Sequence, residues 1–370
     1  MNFIETIRED LLERLQPNTD KQSVAWMFVA PTQLKQRSVN CFVQSPCKDI
    51  LNIGHAARKA SVNCYKCNGQ MVKFGFSGGS QRWRCKPCRF TRTEKRLTDN
   101  LRLSPDKIVQ IVHLLVEGVG IRAIERLANV HRDTVLNVVE FAGNRCRQLF
   151  NQNIMNITVK AVQIDELYAF VCKKQYNCLP YEYDFGDQYT FLAIEPFTKL
   201  LLAHHTGKRD EDNTQTFIRD LSIRLDKTQS FDLTSDGFKP YDSVVRTEFE
   251  DCAAYAQLVK NFHLLKLAKR TGQKLTVPCM ERNLIFGERQ NQSISTSYIE
   301  RLNLSVRTFT RRFTRRTIGY SKKLENLRHS VSLFAAHYNF CRIHSSIKTT
   351  PAVAHGIVDH VFSLNELLGI

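Results

Sequence analysis

The sequence predicts a multidomain α/β protein on three observations: two paired Cys-x2-Cys motifs, three consecutive amphipathic helical segments after residue 104, and apolar strands alternating with helices from about residue 157. At 370 residues the chain is long enough for two or three packed cores, since one domain commonly holds about 100–200 residues. No internal repeat or low-complexity tract is present, so domain boundaries follow shifts in pattern.

Charge narrows the partners. The 53 Lys and Arg residues outweigh 36 Asp and Glu, for a formal net charge of +17, which favours a polyanion and nucleic acid above all. No apolar run approaches the roughly 18 residues that span a bilayer, and mean hydropathy is −0.32, so a membrane protein is excluded and a soluble one expected. The first segment, MNFIETIREDLLERLQ, is acidic, with Phe3, Ile7, Leu11 and Leu15 at helical spacing. That order is unlike a secretory leader, so a cytoplasmic, DNA-associated protein is expected. In a reducing compartment, tight clusters among the 12 cysteines read as metal ligands rather than disulfides.

Residues 1–60 are assigned as an accessory N-terminal segment without a function. Cys41 and Cys47, with five residues between them, are read there as buried or free thiols. Residues 61–92 carry Cys64-x2-Cys67 and Cys85-x2-Cys88, with 17 residues between the pairs. Zinc takes four thiolates in a tetrahedron, and each two-residue gap lets the backbone turn both sulfurs toward one ion, so a structural zinc ribbon is predicted. Gly69, Gly78 and Gly79 supply turns between short strands. Arg82, Arg84, Lys86 and Arg89 crowd the second pair, which suits a face toward phosphate.

Residues 104–150 predict a helix-turn-helix unit. Ser104-Pro105-Asp106 is a helix start, with a hydroxyl cap and proline in the first turn. Ile108, Ile111, Val112 and Leu115 form one apolar stripe and Ile121, Ile124, Leu127 and Ala128 a second. After the turn Asn129-Val130-His131, the third helix turns Val135, Val138 and Val139 inward. Arg132, Asp133, Thr134 and Asn137 are left facing outward, and Arg132, Thr134 and Asn137 are the candidates to contact DNA in a major groove.

Residues 157–370 form the third region. ITVKAVQIDE, QYTFLAIEP and TKLLLAHHT read as three adjacent strands, followed by a helix, a strand ending in TSDG, and the strand CAAYAQLVK. This order suggests a ribonuclease H-like mixed sheet with flanking helices, an analogy of fold. Asp165 is expected at the end of the first strand, where a carboxylate needs solvent or a cation. Asp236 follows a later strand, with Gly237 permitting the turn, and Glu300 lies on a helix whose neighbours include Thr296, Asn303 and Leu304. Such acids from separate elements suit two oxygen-loving magnesium ions for phosphodiester chemistry. By chemistry alone Glu166, Asp187, Glu195, Asp210, Glu211, Asp212 and Asp232 are equally eligible.

The passages IDELYAFV, TSDGFKPY, YAQLVK, STSYIERLNLSVR, RRFTRRT, GYSKKLEN and HYNFCRIHSSIKTTPA, in this order, resemble the insertion-sequence-one type of DDE transposase. The resemblance covers most of residues 64–370. The stretch KRTGQKLTVPCMERNLIFGERQNQ departs from it. It implies Asp165, Asp236 and Glu300 as a catalytic triad holding Mg2+ or Mn2+, and Cys64, Cys67, Cys85 and Cys88 as structural zinc ligands. It also implies double-stranded DNA as partner, both terminal inverted repeats and target, in a homo-oligomer. The activity implied is DNA cleavage and strand transfer by a mobile element's transposase. A DNA-binding regulator derived from an inactive transposase and a ribonuclease H-like nuclease are the alternatives. Between Glu300 and Lys323 eight basic residues meet one acid, with Phe309, Phe313 and Tyr320 interleaved, so Arg307, Arg311, Arg312, Arg315 and Arg316 are candidates to track phosphates. His337 and His344 suit either packing or a DNA contact.

Overall fold

The computed structural model describes residues 64, 66–77, 80–93, 101–260, 270, 280–288 and 294–370. The N-terminal amphipathic segment, Cys41, Cys47, Gly78, Gly79 and the linker after Thr93 lie outside the described residues. Three short strands, β1 (Met71–Ser77), β2 (Ser80–Cys85) and β3 (Thr91–Thr93), pair antiparallel in the order β1-β2-β3. Each Cys-x2-Cys closes a tight turn. Asn68 donates its amide to the Cys64 carbonyl at 2.7 Å and Arg89 to the Cys85 carbonyl at 3.1 Å, and both donors take positive φ, 54° and 56°.

Helix α1 (Pro105–Val116) begins as the sequence predicts: the Ser104 hydroxyl accepts the Lys107 amide and proline occupies the first turn. Helix α2 (Ile121–Ala128) ends on Asn129 in the left-handed conformation, and α3 (Arg132–Asn153) follows. Ile108, Ile111, Val112, Ile124, Ala128, Val135, Val138 and Val139 are buried, as the stripes require. Leu127 is not, being 62% exposed. Only one face of this eight-residue helix meets its neighbours, and residues 124 and 128 use it, so Leu127 is left on the outer side.

A six-stranded mixed sheet follows. Its strands are β4 (Ala161–Val171), β5 (Gly186–Ile194), β6 (Leu201–Gly207), β7 (Phe231–Ser235), β8 (Ala253–Lys260) and β9 (Met280–Phe286), in the order β6-β5-β4-β7-β8-β9. The first three are an antiparallel meander, β7 and β8 join parallel, and β9 is antiparallel. The parallel joins need crossovers, supplied by α4 (Glu211–Arg224) and α5 (Pro240–Phe249). Strand β9 falls in the stretch that departs from the resemblance. Helices α6 (Ser297–Phe309) and α7 (Leu324–Ala336), with the short α8 (Pro351–Ala354) and α9 (Leu364–Leu368), complete the fold.

One hydrophobic core cluster runs from Ile108 and Phe150 through Val162, Phe191 and Leu233 to Phe334 and Leu368, so the three-helix unit and the sheet region share an interior. Helices α3 and α7 approach closely at Gly143 of α3. A Cβ there would stand 2.6 Å from the His329 Cα of α7, too close for any side chain. Gly143→Leu is therefore expected to cost about 3 kcal/mol or more in urea unfolding, the upper end for overpacking. Parent-like stability would mean that α3 and α7 can separate at little cost.

Candidate active site and nucleic-acid interface

The sheet forks at its centre. Strand β4 pairs with β7 only from Ala161↔Asp232 to Gln163↔Thr234, whereas its pairing with β5 continues to Val171. Asp165 therefore lies within β4 rather than at its end, as the sequence had suggested. What exposes it is the departure of β7, whose last residue, Ser235, is followed at once by Asp236. Oxygens of Asp165, Glu166 and Asp236 consequently lie within 4.8 Å of one another. Adjacent strand residues point to opposite faces, and a shared cluster is possible here because the fork leaves the strand edge open to both.

Each carboxylate is held differently. Asp165 Oδ2 accepts from Asn303 Nδ2 at 2.7 Å. The Asp236 side chain turns back on its own loop, accepting the Phe238 amide at 3.0 Å. Glu166 is 3% exposed in its side chain and accepts from Arg209 Nη2 at 3.2 Å, and the buried Tyr241 hydroxyl faces the same carboxylate. The same Arg209 nitrogen lies 3.6 Å from Asp236, and its guanidinium stacks over Phe238 at 3.8 Å. Burial first, and then the neighbouring Asp236, push the Asp165 carboxyl up to about 6 and that of Glu166 up to about 7. An acid cluster that resists full ionisation is suited to a cation.

Glu300 enters the same cleft, a cavity of about 710 Å³ also lined by Asp165, Arg209, Asp236, Lys260 and Thr296. It accepts from Lys260 and, at 2.6 Å, from the Thr296 hydroxyl. Burial works to raise its carboxyl, but these two donors outweigh burial and hold it below the ordinary value. Its helix is anchored to the cluster strand: Gln163 of β4 accepts the Tyr298 and Ile299 amides at 3.0 and 3.1 Å, capping α6 where Thr296 makes no cap. Along α6 the residues Glu300, Asn303 and Arg307 recur at helical spacing. Arg307 is half-buried and feels the Asp165 charge, though burial dominates and lowers its guanidinium below the usual range.

Four sulfurs form the second cluster. The Sγ atoms of Cys64, Cys67, Cys85 and Cys88 lie within 4.8 Å of one another, with Cys64–Cys88 at 3.6 Å and Cys67–Cys85 at 3.4 Å. Burial raises Cys64, but the Lys66 and Cys67 amides outweigh it and bring the thiol down to about 7, whereas burial takes Cys85 up to about 12. Arg82 and Arg84 stack over the Phe74 ring at 5.4 and 4.8 Å.

The DNA-contact candidates fall into separate places. Thr134 and Asn137 share a concavity of about 460 Å³ with Arg102 and His131, two residues that the sequence reading passed over. Arg132 instead lines a cleft of about 750 Å³ together with Arg311 and Arg312. Arg311, Arg315 and Arg316 are exposed. Arg312 departs from expectation, because its guanidinium donates to Ser330 at 2.6 Å and Ser321 at 2.8 Å, and its remaining nitrogen is buried. It packs the α6–α7 connection rather than presenting its charge to a phosphate. His337 and His344 are partly buried, and burial lowers both to about 4, which keeps them neutral. Arg209 and Gln163 fall outside the matching passages, and Lys260 ends YAQLVK without a role there, since each meets its partner only across the fold. The alternation of Gln163 with Asp165 on one strand face was the signal available.

Among the described residues no helix is long and apolar enough to cross a membrane. No family model matches the chain, and no curated protein matches it. Among solved structures it is similar to the piggyBac transposase synaptic complex with hairpin DNA, at 9% identity and a TM-score of 0.37, over 75% of this chain and 70% of that one. It is also similar to a pre-cleavage Mos1 transpososome, at 10% identity and a TM-score of 0.19, over 41% of this chain and 60% of that one. A Mos1 mariner paired-end complex with Mn gives 13% identity and a TM-score of 0.17, over 40% of this chain and 56% of that one.

Proposed function

We propose that this protein is a DDE-type DNA transposase, which binds the ends of its own element and then cleaves and joins DNA strands. The observation that carries this reading is the convergence of oxygens of Asp165, Glu166 and Asp236 within 4.8 Å at the fork of the sheet, beside a cleft that Asp165, Asp236 and Glu300 line. The donors are all carboxylate oxygens, a set that fits Mg2+ or Mn2+. When bound, such ions activate an attacking hydroxyl and stabilise the departing oxygen of a phosphodiester.

The chain's own residues arrange this chemistry. Asn303 orients Asp165, Lys260 and Thr296 hold Glu300, and Arg209 balances the charge of Glu166 and Asp236. Arg307 stands on the same face of α6 as Glu300, where a cation suits a phosphate entering the cleft. The four-cysteine cluster fits one structural Zn2+, completing a zinc ribbon. The ribbon and the helix-turn-helix of α1–α3 would hold the terminal repeat, with Thr134, Asn137, Arg102 and His131 as one contact group and Arg132 with Arg311 as another. Joining two ends calls for at least two copies of the chain.

The test uses purified protein, Mg2+ and a duplex copied from the DNA flanking the coding region. Cleavage at one position and joining of the new 3′ end to a second duplex are expected. Glu300→Gln should keep end binding and lose at least about a hundredfold in cleavage rate. A full rate would remove Glu300 from the site. Cutting without joining would make the protein a nuclease, and end binding without cutting would make it a regulator.

A further inference from the structure

Helix α6 has two working faces. Glu300, Asn303 and Arg307 look toward the acidic cluster, whereas Ser297, Tyr298, Arg301, Ser305 and Thr308 line a separate groove of about 610 Å³, closed on its other side by the segment Arg342–Ser346. None of the groove's lining residues carries a carboxylate, while Lys199, Arg301 and Arg342 bring three cations. Arg342 is seated over the Phe309 ring at 3.4 Å, and Lys199 donates to the Ser346 hydroxyl. The two arginines converge, since both act on the phenol of Tyr338. Tyr298 is 45% and Ile343 61% exposed, so the groove opens to solvent.

We propose that this groove binds the sugar-phosphate backbone of a second DNA duplex, the one that receives the cut end. The proposal rests on the transposase reading above. Arg342 fixed by stacking, two further cations and the absence of any acid suit phosphate oxygens, so binding is expected to follow the backbone rather than the sequence. Position supplies the second argument: Ser297 and Arg301 flank Glu300 on the same helix, so the groove starts within about one 5.4 Å turn of the cleft. A duplex lying in it has a phosphodiester within reach of the acidic cluster while the donor end occupies the other face.

The full chain tests this with two variants, a Lys199→Ala/Arg301→Ala double and the single Ser345→Glu, which places a negative charge in the groove. Their melting temperatures are compared with the parent to verify folding. Binding of a random-sequence duplex is followed by fluorescence anisotropy across a salt series, and end cleavage and joining are measured separately. For the double variant the salt slope is expected to fall by about two, one per lost cation. Joining should drop at least tenfold and cleavage of the donor end should change less than twofold. Unchanged duplex affinity and joining in both variants would overturn the proposal. So would equal losses of cleavage and joining, which would assign the groove to the donor end. If the parent cleaves no end at all, the transposase reading fails, and the salt slope alone decides whether the groove binds DNA.

Discussion

Asp165→Asn is expected to melt several degrees above the parent in metal-free buffer at pH 8, and to lose at least about a hundredfold in cleavage. The two effects share a cause. Burial and the nearby Asp236 raise the folded carboxyl from 3.8 to about 6, so ionisation opposes folding. A shift of that size corresponds to about 3 kcal/mol at neutral pH. Below about pH 3 both the folded and unfolded forms are protonated and there is no cost. Between about pH 3 and 6 the unfolded chain ionises first and the cost grows, and above about 6 it is nearly complete. The advantage of asparagine should therefore vanish as the pH falls to about 3, and a pH-independent gain would refute this account.

Glu166, raised to about 7, extends the same logic to cation binding. The coupled acids must lose their protons to accept a divalent ion, so Mg2+ should stabilise the parent strongly at pH 8 and weakly below pH 6. It should do little for Asp165→Asn at either pH. Equal Mg2+ stabilisation of parent and variant would place the ion elsewhere.

Removing zinc should have the largest structural effect of any perturbation, confined to residues 64–93. Among the described residues the hydrophobic ones buried there are Cys64, Met71 and Cys85, which is far too little to hold three strands. Four thiolates around one Zn2+ supply about 10–16 kcal/mol in small zinc domains, so the ion rather than a core would maintain the ribbon. A chelator, or Cys85→Ser, is expected to release one zinc per chain and abolish amide protection across β1–β3. The sheet β4–β8 should keep its protection, because its core contains none of the ribbon residues. Finding no zinc in the purified protein, or a ribbon still protected after chelation, would contradict the assignment.

These expectations differ in how far they could be read before folding. The cysteine pairs, the Ser104-Pro105 helix start, the three helices and the first five strands of the mixed sheet follow from interactions within a few residues, whereas β9, in the stretch that departs from the resemblance, was not read. Spacing and periodicity are therefore sufficient to read them. Motif resemblance singled out Asp165, Asp236 and Glu300 among many acids. It could not show that Glu166 joins the first two, because adjacent residues on a strand ordinarily face apart, and only the fork between β7 and β5 brings oxygens of both within 4.8 Å of Asp236. Nor could it show that Arg312 is consumed by packing while its neighbours stay exposed.

The chain order alone thus determined the element types, the sulfur cluster and the identity of the candidate acids, since each is encoded locally. The tertiary structure decided their states: Asp165 bound by Asn303, Glu166 balanced by Arg209, Glu300 held by Lys260, and α6 capped by Gln163. Each of those pairs joins residues at least 40 positions apart, and its energy depends on distance and burial, which exist only once the sheet and helices have packed.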